Sequence, residues 1–172
     1  MTHPDLKAQC RIETPLGTMT AAATDKGIAG LWFDDQAHHP GPLTVPVQAD
    51  HRWLKSAHIY LTRYFDSDWP AQHRLPLDLH GTPFQRAVWQ ALLELPAGQT
   101  SSYAAIASKA GSPAATRAAG AAIGRNPVSV LVPCHRVLGQ DGSLTGYAGG
   151  LERKRALLQL EGLTLEGMRL AP

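Results

Sequence analysis

Apolar and polar positions change their rhythm near residue 80. Before it, three short runs, Ala8–Thr14, Thr18–Thr24 and Gly27–Phe33, are separated by Pro15-Leu16-Gly17 and Asp25-Lys26-Gly27. Both separators are turn chemistry, so the pattern predicts an antiparallel meander. His38 to Pro46, with three prolines and a glycine, reads as a loop. Over Arg52–Phe65, Trp53, Leu54, Ala57, Ile59, Leu61, Tyr64 and Phe65 give a helical pattern. Asp66 to Pro76 interrupts that pattern, and Leu75–Leu79 reads as a further strand.

After residue 80 the pattern is helical. Thr82-Pro83 with Gln85 is a helix start: Thr at the N-cap, Pro at the first position, Gln placed to close a capping box. That helix should run to about Leu95, with Phe84, Val88, Leu92 and Leu95 on one face, and Pro96-Ala97-Gly98 ends it. Ser101 or Ser102 can cap a helix over Tyr103–Ala110. Gly111-Ser112-Pro113 reads as a turn and a new cap, followed by a helix over Pro113–Ile123. Helix, three-residue turn, helix is the helix-turn-helix outline. The β-branched run Val128–Val132 reads as extended chain leading into Pro133-Cys134-His135-Arg136-Val137. A glycine-rich loop, Gly139 to Gly150, precedes a last amphipathic helix, Leu151–Leu160, stopped by Gly162. The fold class expected is α+β: a small N-terminal antiparallel-sheet domain with one helix over 1–79, and a mainly helical domain with a helix-turn-helix over 80–172.

Composition narrows the class. A chain of 172 residues with 44% hydrophobic and 17% charged residues can build a packed core. No run approaches the length of a membrane span, and the polar start, Met1 to Lys7, lacks the apolar centre of a signal peptide. A cytoplasmic location without a membrane is expected. Two cysteines, Cys10 and Cys134, cannot make a Cys-rich zinc site, and the eight histidines lack ligand spacing, so no metal is expected. Net charge is +2, split as −2 over residues 1–79 and +4 over 80–172.

Two segments carry unusual chemistry. Ala114, Ala115, Ala118, Ala119, Gly120, Ala121 and Ala122 make a smooth helix with one long cation, Arg117, in its midst. Tight helix packing explains the small residues, but a core helix would need a buried partner for Arg117, and a DNA-facing surface would not. The second segment is Pro133-Cys134-His135-Arg136. A cysteine after an apolar run is usually core; a following His and Arg offer a thiol whose pKa is lowered. Adjacent residues on a strand point to opposite faces, so the pair works together only if the chain turns there. A phosphatase loop would need Arg at position 140, which is Gln140, and no papain-type signature surrounds Cys134.

Taken in order, Gly81-Thr82-Pro83-Phe84-Gln85, Ser102-Tyr103, Arg117, Asn126-Pro127, Pro133-Cys134-His135-Arg136-Val137, Gly146-Tyr147-Ala148-Gly149-Gly150 and Glu161-Gly162 resemble the O6-alkylguanine-DNA alkyltransferase family. The match spans about residues 80–163. The resemblance implies direct-reversal DNA repair, in which an alkyl group moves irreversibly from O6-alkylguanine, and from O4-alkylthymine, to Cys134 after base flipping. It implies His135 as a general base working through water, Glu161 as the acid that orients it, Asn126 as the holder of the active-site turn, and Tyr103 as proton donor to the base. Arg117 would fill the vacated stack from a helix in the minor groove, with Thr116, Ala115, Ala118, Arg125 and Ser102 beside it on the DNA. Tyr103, Arg136, Val137, Tyr147, Ala148 and Gly149 would line the base pocket. Arg153 and Lys154 are candidates for phosphate contact. Some family members carry Ser where this chain has Ala148, which leaves only the backbone N–H there. The expected partner is double-stranded alkylated DNA, with no cofactor and no obligate protein partner. Alkyltransferase-like proteins that only bind DNA lack the acceptor cysteine, and a helix-turn-helix regulator would offer more polar side chains to the major groove.

Overall fold

The computed structural model describes residues 5–68 and 75–171. Part of the interruption expected over Asp66 to Pro76 and the very start of the chain lie outside the described residues. The chain divides into two compact units, Met1–His80 and Gly81–Pro172.

In the first unit β1 (Ala8–Ile12), β2 (Met19–Ala23) and β3 (Ile28–Phe33) form one antiparallel sheet in that order. The register pairs Cys10 with Ala21 and Ala21 with Leu31. Ala8, Cys10 and Ile12 alternate inward along β1, as a half-buried strand requires. β3 is buried along its whole length, because both its faces are covered. α1 (Arg52–Phe65) packs on the sheet, burying Leu54, Ala57, Leu61 and Tyr64. The ring of Trp32 lies across Gly30, where a Cβ would sit inside it, and His39 from the proline-rich loop meets Trp32 edge to face. The strand expected over Leu75–Leu79 reduces to a single parallel bridge between Leu77 and Ile28.

The second unit begins with α2 (Pro83–Leu93). Its capping box is complete: the Thr82 side chain accepts from Gln85 N at 3.2 Å, and the Gln85 side chain accepts from Thr82 N at 2.9 Å. Then come β4 (Ser101–Ser102), α3 (Tyr103–Lys109), α4 (Thr116–Gly124), a 3-10 turn (Cys134–Arg136), β5 (Val137–Leu138), α5 (Leu151–Leu160) and a closing hairpin of β6 (Leu165–Glu166) and β7 (Arg169–Leu170). α2, α3 and α4 pack together, and Trp89 Nε1 donates to the Ala122 carbonyl at 2.9 Å. β4 pairs in parallel with β5. No helix among the described residues is long and apolar enough to cross a membrane.

Two expectations are corrected. The helix expected from Pro113 begins at Thr116, after a longer turn, because Ala115 N bonds the Ser112 carbonyl and closes a separate turn first. The run Val128–Val132 is not extended. Val132 N bonds the Val128 carbonyl, and Val130 takes a left-handed φ of 70°. A β-branched residue there costs on the order of 1–3 kcal/mol, so surrounding contacts must impose it.

Candidate active site

Asn126 imposes that turn. Its Oδ1 accepts from Val128 N at 2.9 Å, while its Nδ2 donates to the Val132 carbonyl at 2.8 Å and reaches Cys134 Sγ at 3.1 Å. One buried amide therefore replaces ladder bonds that a strand would have made, and it aims the thiol. Cys134 follows Pro133 on the 3-10 turn and is 4% exposed. The chain turns where joint action of Cys134 and His135 requires it.

His135 is fully buried, and its Nε2 lies 2.8 Å from Glu161 Oε1. Glu161 caps the C-terminus of α5 and is buried. Desolvation pushes its carboxyl up, but hydrogen bonds from His135 and Arg136 outweigh that and hold it below the usual carboxylate range. An ionised carboxylate only accepts, so His135 Nε2 carries the proton and donates. Burial, with Arg136 and Lys154 nearby, lowers the His135 pKa despite Glu161. The ring is then neutral and Nδ1 holds a lone pair; that atom is buried and bonded to no protein group.

Cys134 departs from the sequence argument for a lowered thiol pKa. Burial pushes the thiol up, against the opposing effects of the Asn126 hydrogen bond and the Lys154 charge. The resting site thus holds a protonated sulfur. The charges nearest in sequence are spent elsewhere: Arg136 donates from Nε to Glu161 Oε2 at 2.8 Å, from Nη2 to Oε1 at 2.7 Å, and from Nη1 to the Leu95 carbonyl. Arg136 therefore clamps Glu161 and is buried, whereas the sequence reading set it against the base.

Of the other pocket residues, Val137 is buried with its carbonyl bonded to Lys154. Tyr147 meets the His135 ring edge to face at 6.4 Å, and burial raises its hydroxyl pKa well above the ordinary value. Ala148 is half-buried, and the buried Gly149 accepts from Arg153 Nη1 at 3.0 Å. Tyr103 opens α3 and donates from its hydroxyl to the Thr145 carbonyl at 2.9 Å.

The residues expected on DNA sit apart from this buried cluster. Arg117 and Ala118 are exposed on α4, while Ala119, Ala122 and Ile123 face inward. Small residues thus serve both packing and an open surface. Thr116 begins α4, Ala115 precedes it as a cap without a side-chain bond, and the exposed Arg125 follows its end. The Ser102 hydroxyl caps α3, accepting from Ala105 N at 3.2 Å. Lys154 is not on the surface: it is fully buried and cannot meet phosphate. The sequence held a signal for this, since Lys154, Leu157, Leu158 and Glu161 share one helix face at i, i+3, i+4 and i+7.

Residues 83–163 match the family model described as 6-O-methylguanine DNA methyltransferase, DNA binding domain. The chain is 43% identical over 150 residues to the methylated-DNA–protein-cysteine methyltransferase of Mycobacterium tuberculosis, covering 87% of this chain and 89% of that protein. It is 45% identical over 145 residues to the inducible enzyme of that name from Bacillus subtilis, covering 84% and 79%. The crystal structure of Mycobacterium tuberculosis OGT in complex with DNA is similar at a TM-score of 0.82 and 42% identity, over 90% of this chain and 93% of that one. The chain belongs to the methylated-DNA–protein-cysteine methyltransferase family.

Proposed function

We propose that Cys134 accepts the alkyl group from O6-alkylguanine, and from O4-alkylthymine, once per molecule, after the damaged base has left the duplex. DNA repair by alkyl transfer is the family's activity. The observation that carries the assignment is the buried thiol beside Asn126, on a turn continued by the His135–Glu161 pair.

The sulfur attacks the alkyl carbon and a carbon–sulfur bond forms as the carbon–oxygen bond breaks. The electron pair of that bond leaves with guanine O6. His135 Nδ1 takes the thiol proton through water, with Glu161 steadying the imidazolium, and the proton ends on the departing base. Tyr103 donates to that base as charge builds on it. A free thiol is a few per cent ionised at neutral pH, so complete ionisation would raise the rate by roughly ten- to thirtyfold. Placement of the carbon in line with sulfur and stabilisation of the leaving base supply the rest.

The target atom is stacked in the duplex, and extrusion costs a few kcal/mol. An exposed Arg117 on a small-residue helix face suits insertion into the vacated space from the minor groove. Intact-mass analysis after incubation with an O6-methylguanine duplex tests the reading. A gain of one methylene mapped to Cys134 is expected; a gain on Cys10, or none, overturns it.

A further inference from the structure

Lys154 is a fully buried cation that the mechanism above does not use. Its Nζ donates to the Val137 carbonyl at 2.5 Å, the Thr145 carbonyl at 2.7 Å and the Gly146 carbonyl at 3.4 Å. Three donors meet three backbone acceptors, so the ammonium has no capacity left for an external ligand. Two separate segments are joined this way. Val137 directly follows the turn that carries Cys134, and Thr145–Gly146 belongs to the glycine-rich loop. The Tyr103 hydroxyl donates to the same Thr145 carbonyl, and a Cβ on Gly146 would stand 3.6 Å from it. Burial lowers the Lys154 pKa to about 8. Near neutral pH the folded chain therefore holds this ammonium at a cost relative to the unfolded chain. An apolar residue at an inward position of α5 would avoid that cost.

We propose that Lys154 is a positioning residue for alkyl transfer: it ties the chain leaving the Cys134 turn to the Thr145–Gly146 loop and so sets where the Tyr103 hydroxyl meets the base. This rests on the roles given above to Cys134 and Tyr103. Without the tie the loop carbonyls lose their shared donor, and the hydroxyl and the sulfur no longer keep a fixed separation.

The test is single-turnover alkyl transfer from an O6-methylguanine duplex, read as a half-saturating concentration and a limiting rate. Wild type, Lys154→Met, Tyr103→Phe and the double variant are compared below their melting temperatures. Lys154→Met should slow the limiting rate by about ten- to hundredfold, as a small misplacement does, and leave half-saturation within about twofold. In the double variant the two losses should not multiply, because both act through one hydroxyl. A merely structural lysine would lower the melting temperature yet leave the folded fraction reacting at the wild-type rate, and that result overturns the proposal. Losses that multiply in the double variant, or a Tyr103→Phe protein as fast as wild type, overturn it too. If Lys154→Met does not fold, Lys154→Arg is read the same way, since a guanidinium keeps the charge but cannot place its donors on the same three carbonyls. Wild type must first gain mass on Cys134; if it does not, the functional reading fails, whereas a normal wild type with an equally fast Lys154 variant sinks only the role of Lys154.

Discussion

Replacing Glu161 by Gln separates what this carboxylate does for the fold from what it does for the reaction. Glu161 is buried and accepts hydrogen bonds from His135, twice from Arg136, and from Gly98 N. Arg136 is itself buried, so a neutral partner strands a guanidinium away from water. Breaking a buried pair in this way costs about 3–5 kcal/mol. For a unit the size of Gly81–Pro172 that lowers the melting temperature by at least about 12 °C. The assay is a urea titration of the full chain, with amide exchange in α5 reporting the unit that holds the site. pH supplies a second reading. The Glu161 pKa is depressed on folding, so its contribution is complete above the unfolded value of 4.5 and is lost as pH falls below it. The Gln variant should lose that part of the acid limb. Adding Arg136→Met removes the stranded charge and should return most of the stability, because apolar replacement of a buried pair is often neutral. Alkyl transfer should stay slow in the double variant, since His135 still lacks its orienting acid. A Glu161→Gln protein within about 0.5 kcal/mol of wild type, where surface changes usually fall, would refute the energetic reasoning. A double variant that recovers full activity would refute the orienting role.

Three further outcomes are expected. Arg117→Ala should slow repair in duplex DNA more than reaction with the free modified base, because only the duplex requires extrusion; equal losses measured in parallel remove its assigned role. Methylated Cys134 should make the chain less stable by about 1–3 kcal/mol, the usual cost of overpacking, since Cys134 is 4% exposed and its sulfur is hydrogen-bonded to Asn126; an unchanged melting temperature after reaction contradicts this. The transfer rate should hold steady from neutral pH down to 6.5 and fall only below it, because burial lowers the His135 pKa from 6.5 and preserves the basic Nδ1; a pH–rate midpoint above 6.5 would show that another group limits the reaction.

Local signals along the chain were legible where a residue and its partner lie within one turn. The capping box of Thr82 and Gln85 spans three residues, and α1, Arg52–Phe65, follows from the helical spacing of its apolar residues and the break after Phe65. The Pro133–Val137 segment was likewise readable as a motif. Misreadings fall where a single side-chain or turn hydrogen bond overrides the preference of the residues around it. Val128–Val132 has strand composition, yet the Asn126 amide accepts from Val128 N and donates to the Val132 carbonyl, and so folds it into turns. Pro113 suits a helix start, yet the helix waits for Thr116 because a separate turn closes first.

The sequence by itself determined the alternation of strands and helices, the place of the turns and caps, and the residue types available for chemistry, because these depend on backbone preferences and side-chain spacing over a few residues. Tertiary structure alone decided which partners the buried charges meet. Arg136, beside the thiol in sequence, is drawn to Glu161; Lys154, on a helix rich in charge, turns inward to three carbonyls; and Cys134 keeps its proton because its surroundings exclude water. A charge can be buried only where folding brings it a partner, and those partners lie 25 residues away for Arg136 and 17 for the Val137 carbonyl on Lys154. No local pattern encodes that meeting.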